Sequence, residues 1–234
     1  MNLEVIPMFN KSLLALVLAA ATGSAFAAPV ANLKIDGKVT PPTCTINGEE
    51  QGELLANFGA VSPTWLLATG LSSGHVKSVG SQTVPLTISC DAKTYLTMVP
   101  TDTYRNVDVG QTGSYIYRSA LVSDSNKSAS MGYYFLMMEN MTVDGKAAFL
   151  GRESSSHTNT GNVAIPGIKS AWTTEKQINV APGTFKLAAG QVFTTDLVVY
   201  SNLYSKQKMT TNGIDLTEAV DFVGENVLTF NFGI

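Results

Sequence analysis

The stretch Ile35-Asp36-Gly37-Lys38-Val39-Thr40-Pro41-Pro42-Thr43-Cys44-Thr45-Ile46 decides the fold, together with Val84-Pro85-Leu86-Thr87-Ile88-Ser89-Cys90. Both stretches alternate apolar and polar residues, which is the period of a β-strand with one buried face. Each stretch carries one of the chain's two cysteines. The pattern predicts a first strand over residues 33–40 and a second over residues 82–90. A disulfide between the cysteines would tie these strands if the chain is exported to an oxidising compartment.

The N-terminus predicts export. Lys11 precedes a short apolar run at residues 13–21, and the run is followed by small residues and Ala25-Phe26-Ala27. This order is typical of a Sec signal peptide with an A-x-A cleavage site. The apolar run is too short for a stable membrane span. We therefore expect residues 1–27 to be removed, which leaves one domain over residues 28–234.

The remaining sequence predicts an all-β domain folded as a sandwich. Short alternating segments recur between turn signals, and no helical period of useful length is found. Residues 54–58 form a short candidate strand, and residues 191–203 form the longest. The last candidate strand covers residues 226–234, with one apolar face made of Leu228, Phe230, Phe232 and Ile234.

Charge and composition exclude several classes of function. Removing residues 1–27 takes away one basic and one acidic residue, so the mature chain keeps a net charge of 14 − 17 = −3. This balance argues against a nucleic-acid partner. The two histidines, His75 and His157, lie in Ser- and Gly-rich stretches without a second ligand cluster, so we expect no metal site. Ser155 and Ser156 beside His157 lack a nucleophile-elbow pattern, and we expect no catalytic residue and no cofactor.

The chain resembles subunits of chaperone–usher fimbriae, and it is most similar to the enterobacterial beta-fimbrial subunit branch. The resemblance rests on the signal peptide, residues 35–46, residues 84–90 and the alternating stretch at residues 225–234. In that family, a cysteine shortly after the first-strand pattern pairs with one that ends the second strand. The resemblance implies the same pairing of Cys44 with Cys90.

The resemblance also implies an immunoglobulin-like sandwich that is incomplete and is completed by a donated strand. In this family a periplasmic chaperone, and later the N-terminal segment of the next subunit, fills an open apolar groove by β-strand addition. Leu228, Phe230, Phe232 and Ile234 are the expected groove and chaperone-binding residues. Family members usually end with a penultimate tyrosine, whereas this chain has Gly233 there. Only residues 28–33 precede the predicted first strand, so we expect either a short donor segment, which offers Val30, Ala31 and Leu33, or a subunit at the fibre tip that accepts a strand without donating one.

Three functions follow from this reading. The first is a structural fimbrial subunit that passes through the periplasm to the cell surface, with a chaperone, an outer-membrane usher and other subunits as partners. The second is a tip or minor adhesin that binds a host glycan through the region 101–160, where Tyr115, Tyr117, Tyr133 and Tyr134 offer rings for stacking. The third is a self-complete periplasmic or secreted β-sandwich binding protein. An enzyme is not expected.

Overall fold

The computed structural model describes residue 31 and residues 33–154 and 161–232. The chain divides into two units, Met1–Thr40 and Pro41–Ile234. In the first unit, residues 33–40 form neither helix nor strand, and the side chains of Leu33, Ile35 and Val39 are 87%, 85% and 101% exposed. The predicted first strand over residues 33–40 is therefore wrong. Its alternation lacks a ladder partner among the described residues.

The second unit is all-β, as predicted. Its strands are β1 (Cys44–Ile46), β2 (Val76–Thr94), β3 (Leu96–Asp102), β4 (Ser119–Ser123), β5 (Ser130–Val143), β6 (Lys146–Ala147), β7 (Phe149–Glu153), β8 (Val163–Ala164), β9 (Ser170–Thr173), β10 (Gln177–Val180), β11 (Gly190–Tyr204), β12 (Phe222–Val223) and β13 (Asn226–Phe232). The predicted strand at residues 54–58 does not form, because these residues join no ladder.

The strands build two sheets packed as an immunoglobulin-like sandwich, which confirms the predicted fold class. The first sheet has the order β1-β2-β11-β5-β4-β12, with β6 and β8 paired to β5. The second sheet has the order β10-β7-β9-β3-β13. Strands β2, β11 and β5 are the longest and form the centre of the first sheet. The second sheet packs against them.

The predicted alternation holds in the two central strands. Leu86 and Ile88 of β2 are 1% and 0% exposed, and Phe193 of β11 is fully buried. Trp172 of β9 is also fully buried, and its ring meets that of Phe193 edge-on at 6.0 Å between centroids. Because β9 and β11 belong to different sheets, this aromatic pair joins the two layers of the sandwich.

The residues that the structure describes contain little helix. Helix α1 (Lys206–Thr211) begins after Ser205, whose hydroxyl accepts a hydrogen bond from the Lys208 N–H at 3.2 Å. Its polar sequence hides the helix from a periodicity analysis, since only Met209 is buried in it. Residues Pro63–Trp65 form a 3₁₀ turn in which Trp65 stays 36% exposed while the following Leu66 is buried. No helix within the described ranges is long and apolar enough to span a bilayer.

The Cys44–Cys90 disulfide is present and joins β1 to β2, whose register places these two residues opposite each other. The bridge closes a loop with a sequence separation of 46 residues. We expect the Cys44→Ala/Cys90→Ala double variant to lower the free energy of unfolding by about 2–4 kcal/mol, because the unfolded chain gains the entropy of the opened loop. Urea unfolding of the oxidised chain and the variant measures this, and a change below about 1 kcal/mol would contradict it.

Candidate functional site: a groove beside the last strand

Strand β13 is the edge strand of the second sheet. It pairs with β3 along its whole length, from Asn226 opposite Asp102 to Phe232 opposite Leu96, and no described strand pairs with its other side. Leu228 and Phe230 are half-buried and Val227 is 53% exposed, as the alternation predicts, but Phe232 on the predicted apolar face is 39% exposed. An edge strand whose inner face is only half-buried leaves part of the core uncovered.

The backbone of β13 has hydrogen-bonding groups left for a further strand. The Thr103 N–H donates to the Glu225 carbonyl oxygen at 3.1 Å, which places the odd-numbered residues of this segment in bonded pairs with β3. The N–H and C=O groups of Asn226, Leu228 and Phe230 therefore point to the open edge. Pro100 has no backbone N–H and lies opposite Leu228. This is a non-hydrogen-bonded pair, so the ladder between β3 and β13 loses no hydrogen bond there.

An apolar cavity of about 260 Å³ lies between β13 and the first sheet. Its floor is formed by inward-facing residues of four strands of that sheet: Val84 of β2, Leu197 and Val199 of β11, Tyr134 and Leu136 of β5, and Leu121 of β4. A second cavity of about 730 Å³ continues beyond Phe222, between helix α1 and residues 216–221. Together with the edge of β13 these cavities form what we call the acceptor groove.

Residues 53–61 form the other wall of the acceptor groove. Leu54, Ala56 and Phe58 are half-buried and line the first cavity, whereas Leu55 between them is 74% exposed. These residues make no backbone–backbone hydrogen bond with any other described residue. The wall therefore has the side-chain alternation of a strand without its ladder, which explains why the sequence pattern predicted a strand here.

A polar cluster borders the first cavity of the acceptor groove. The Asn226 Nδ2 donates to Tyr134 Oη at 2.7 Å and to Ser119 Oγ at 2.9 Å. The Asn226 Oδ1 is buried and has no hydrogen-bond partner among the described residues. Gly224 lies against this cluster, since a Cβ there would come within 2.5 Å of the Tyr134 ring. The cluster lines the first cavity where the chain crosses from β12 to β13, and the groove continues from there into the second cavity.

Burial raises the pKa of the Tyr134 hydroxyl far above its usual value near 10, and the nearby Asp102 carboxylate adds to this shift. Burial also raises the pKa of Tyr204 to about 12. Because the folded state holds these protons more tightly than the unfolded state, their contribution to stability is present below about pH 10 and is lost as the pH rises further.

We expect the free energy of unfolding to fall with pH above about pH 10, by about 1.4 kcal/mol per pH unit for each such tyrosine. Tyr134→Phe should reduce the steepness of this fall by about 1.4 kcal/mol per pH unit, because one titrating tyrosine is removed. Tyr204→Phe should have the same effect, but only up to about pH 12. Urea unfolding at a series of alkaline pH values measures the slope, and an unchanged slope in Tyr134→Phe contradicts the assignment.

The structure places the predicted groove residues on one strand face. Leu228, Phe230 and Phe232 follow one another along β13, and Leu228 lines the first cavity, while Ile234 and Gly233 lie outside the described residues. Of the predicted donor residues, Ala31 and Leu33 are exposed, and Val30 lies outside the described residues. Asn226 was missed as a site residue, although it is the one polar residue in its alternating set.

Of the tyrosines considered for glycan stacking, Tyr115, Tyr117 and Tyr133 lie close together, whereas Tyr134 faces the other side of the first sheet. Tyr133 and Tyr134 are both buried and, as neighbours on β5, face opposite sides of the first sheet. The Arg118 guanidinium lies 4.0 Å from the ring centroids of both Tyr115 and Tyr133 and holds the loop that precedes β4 against that sheet. Tyr115, 48% exposed, offers the most accessible of these rings. Glycan binding through the region 101–160 stays a prediction.

Within the described ranges, no group of three or more His, Cys, Asp or Glu side chains could hold a metal ion. His157, Ser155 and Ser156 lie outside those ranges. His75 is described, and its carbonyl oxygen accepts a hydrogen bond from the Ser205 N–H at 3.1 Å, next to helix α1. The acceptor groove is therefore the feature of the described chain with the clearest capacity to bind a partner.

Residues 33–141 match a family described as a protein of unknown function (DUF1120). The match begins in the exposed segment before β1 and ends within β5, so it includes the disulfide and the wall at residues 53–61. No curated protein matches the chain.

Proposed function

We propose that the chain is a structural subunit of a bacterial surface fimbria, assembled through the chaperone–usher route by exchange of donated strands. The observation that carries the proposal is the open edge of β13 above a half-open apolar groove. An edge of this kind aggregates unless another strand covers it. A donated strand would pair with the free N–H and C=O groups of β13 and would place apolar side chains in the groove.

The acceptor groove suits a strand better than a compact ligand. It is bounded by one extended segment on each side, β13 and residues 53–61, and its cavities follow one another along the floor. The lining of its first cavity is mainly aliphatic, whereas the second cavity also has polar lining residues, among them Thr217, Glu218 and Asp221. In a groove of this kind, backbone pairing supplies affinity and alternate side chains supply selectivity. Before assembly, a periplasmic chaperone would supply this strand, and an outer-membrane usher would receive the complex.

The proposed donor segment is longer than the sequence indicated. Since the first strand begins at Cys44 rather than near Leu33, the segment before it includes residues 33–39. Leu33, Ile35 and Val39 are exposed, and in strand conformation they would lie on the same face as Gly37. Seven residues in strand conformation span about 23 Å, which equals the length of the seven-residue β13. We therefore revise the donor face from Val30, Ala31 and Leu33 to Leu33, Ile35 and Val39.

The test is to export residues 28–234 to the periplasm and to measure the free chain with and without a synthetic peptide that copies residues 31–40. We expect the free chain to aggregate or to unfold at low urea concentration, and the peptide to raise the urea midpoint. Co-expression with a fimbrial chaperone should give a one-to-one complex by size exclusion. A monomer that unfolds cooperatively on its own, unaffected by peptide or chaperone, would support the self-complete binding protein instead.

Limited trypsin digestion gives a second measurement on the donor side. Lys34 and Lys38 are exposed in the described chain and lie on the opposite parity from Ile35. We expect cleavage after these lysines in the unassembled subunit and protection in assembled fibres. Lys127, on the surface of the second unit, serves as a control site whose cleavage should not depend on assembly.

A further inference from the structure

We propose that residues 62–75, together with Lys77 and the first turn of helix α1, form a surface that docks on an anionic phospholipid bilayer. We call residues 62–75 the docking segment. The inference goes beyond the proposed function, because it concerns a different surface and needs no donated strand. Its basis is that exposed apolar side chains and lysines without salt-bridge partners lie together at one end of the first sheet.

The docking segment leaves large apolar side chains outside the core. Trp65, Leu67 and Leu71 are 36%, 41% and 52% exposed. Leu66 is buried and lines the second cavity of the acceptor groove, whereas its neighbours Trp65 and Leu67 remain in contact with solvent. Three exposed apolar side chains within seven residues form a patch of the kind that marks an interaction surface.

Helix α1 holds the docking segment in place. The Lys206 N–H donates to the Leu67 carbonyl oxygen at 2.8 Å, and the Gly70 N–H donates to Gln207 Oε1 at 2.9 Å. The Ser205 hydroxyl donates to the Gly70 carbonyl oxygen. These contacts fix the start of α1 beside the exposed leucines, so the surface is formed before any partner binds.

Three lysines border the exposed apolar side chains. The Lys77 Nζ lies 4.0 Å from the centroid of the Trp65 ring and donates to the Trp65 carbonyl oxygen at 2.7 Å. Lys206 and Lys208 belong to the first turn of α1, and both are partly exposed. None of the three lysines forms a salt bridge with a carboxylate of the described residues. Their charges are therefore available to an anionic partner.

The segments that build this surface carry no acidic side chain. Residues 54–90 and residues 197–214 contain neither aspartate nor glutamate, although the whole chain has a net charge of −3. The neighbouring loop at residues 103–118, whose Gly110 lies against Ser73, adds two arginines and one aspartate. The local charge is therefore positive, which complements anionic headgroups.

A lipid bilayer offers both chemical groups that this surface can use. Its phosphates attract the lysines, and its acyl chains accept the leucines and the indole ring just below the headgroups. A specific protein interface needs about 800 Å² on each partner, which three partly exposed apolar side chains do not supply. A bilayer is deformable and needs no such matched area, so a few inserted side chains and nearby lysines suffice for reversible docking.

The test measures binding of the mature chain to vesicles of phosphatidylcholine alone, and of phosphatidylcholine and phosphatidylglycerol in equal parts. The peptide that copies residues 31–40 is present throughout, so that the acceptor groove is filled. Trp65 reports insertion, because the chain's other tryptophan, Trp172, is fully buried. With the anionic vesicles we expect a blue shift of the emission, quenching by brominated acyl chains, and binding that weakens at high salt.

Charge reversal tests the lysines. Lys206→Glu/Lys208→Glu should weaken binding to the anionic vesicles by about tenfold or more, because each lysine beside an anionic surface contributes about fivefold. The matched control is Lys146→Glu/Lys176→Glu, which changes the net charge equally at exposed positions around the turn that follows β5. This control should change binding less than about twofold, since these lysines do not adjoin the docking segment.

An apolar substitution tests insertion. Leu71→Ser should weaken binding by about fivefold or more, because the leucine side chain no longer enters the acyl layer. Phe149→Ser is the control: Phe149 is 44% exposed but lies on β7, in the second sheet. Trp65→Phe should remove the fluorescence change while the chain still sediments with the vesicles.

The outcomes separate this inference from the proposed function. Equal binding to the two kinds of vesicle, no binding, or equal losses from the docking and control variants overturns the docking surface, whether or not the peptide binds the groove. Vesicle binding without peptide binding leaves the docking surface standing and counts against the fimbrial mechanism alone. Circular dichroism of each variant confirms that it is folded before binding is measured.

Discussion

Ile35→Asp is expected to reduce incorporation of the subunit into fibres by at least tenfold. In the proposed assembly, the Ile35 side chain enters the apolar groove of a second subunit. Aspartate would bring an ionised carboxylate into this groove, where no described cation lines the first cavity. Burying an unpaired charge costs several kcal/mol, and each 1.4 kcal/mol is a factor of ten in affinity.

The matched control is Lys34→Asp, one residue away on the opposite face of the same segment. Lys34 is exposed and forms a salt bridge with the exposed Asp36 at 3.1 Å, so its replacement should change incorporation less than twofold. Both variants should keep the parent's free energy of unfolding within about 0.5 kcal/mol, because Ile35 is 85% exposed in the free chain. Normal fibres from Ile35→Asp would show that residues 33–39 are not the donor strand.

Trp172→Ala is expected to lower the free energy of unfolding by about 3–5 kcal/mol. The Trp172 side chain is fully buried between the sheets, packs edge-on against Phe193, and donates from Nε1 to the Thr194 carbonyl oxygen at 2.9 Å. Its removal leaves a cavity between the sheets and an unpaired carbonyl group. Urea unfolding followed by circular dichroism measures the loss, with the donor peptide present if the free chain is not two-state.

Trp65→Ala provides the comparison for the chain's other tryptophan. Trp65 is 36% exposed, and its main contact of note is with the Lys77 ammonium, 4.0 Å from its ring centroid. We expect a loss of less than about 1 kcal/mol from this variant. Trp172→Phe should lie between the two alanine variants, since it keeps the contact with Phe193 but not the hydrogen bond. A small loss from Trp172→Ala would mean that the two sheets are not joined through this residue.

The strands with one strongly apolar face were predictable because burial in the chain's own core produced their pattern. In β2 and β11, the inward positions Leu86, Ile88 and Phe193 are almost fully buried, as their alternation indicated. The Asp144-Gly145 turn was also predictable: both residues have positive φ, 49° and 73°, which Asp and especially Gly adopt at low cost in a tight hairpin. The turn depends on residues that are adjacent in the sequence, and the buried strand faces depend on the alternation of apolar and polar residues, so both can be predicted without the tertiary structure.

The helix and the wall of the acceptor groove were harder to predict. Helix α1 is short and polar, so its stability comes from the Ser205 cap and the burial of Met209 rather than from an apolar stripe. Residues 53–61 have the alternation of a strand but no ladder among the described residues, because side-chain burial and backbone pairing are separate properties. A period-two pattern indicates which side chains are buried, but it does not indicate whether the backbone pairs with another strand.

The sequence by itself determined that this protein is a β-sandwich and that its last strand has one apolar face, because local alternation suffices for these features. The pairing of its two cysteines was implied by the resemblance to fimbrial subunits. Only the tertiary structure decided that residues 33–40 are not part of the sandwich's sheets, that β13 is an edge, and that Asn226 meets residues 92 and 107 positions away in the chain. Strand pairing and groove formation depend on contacts between distant segments, which alternation cannot specify.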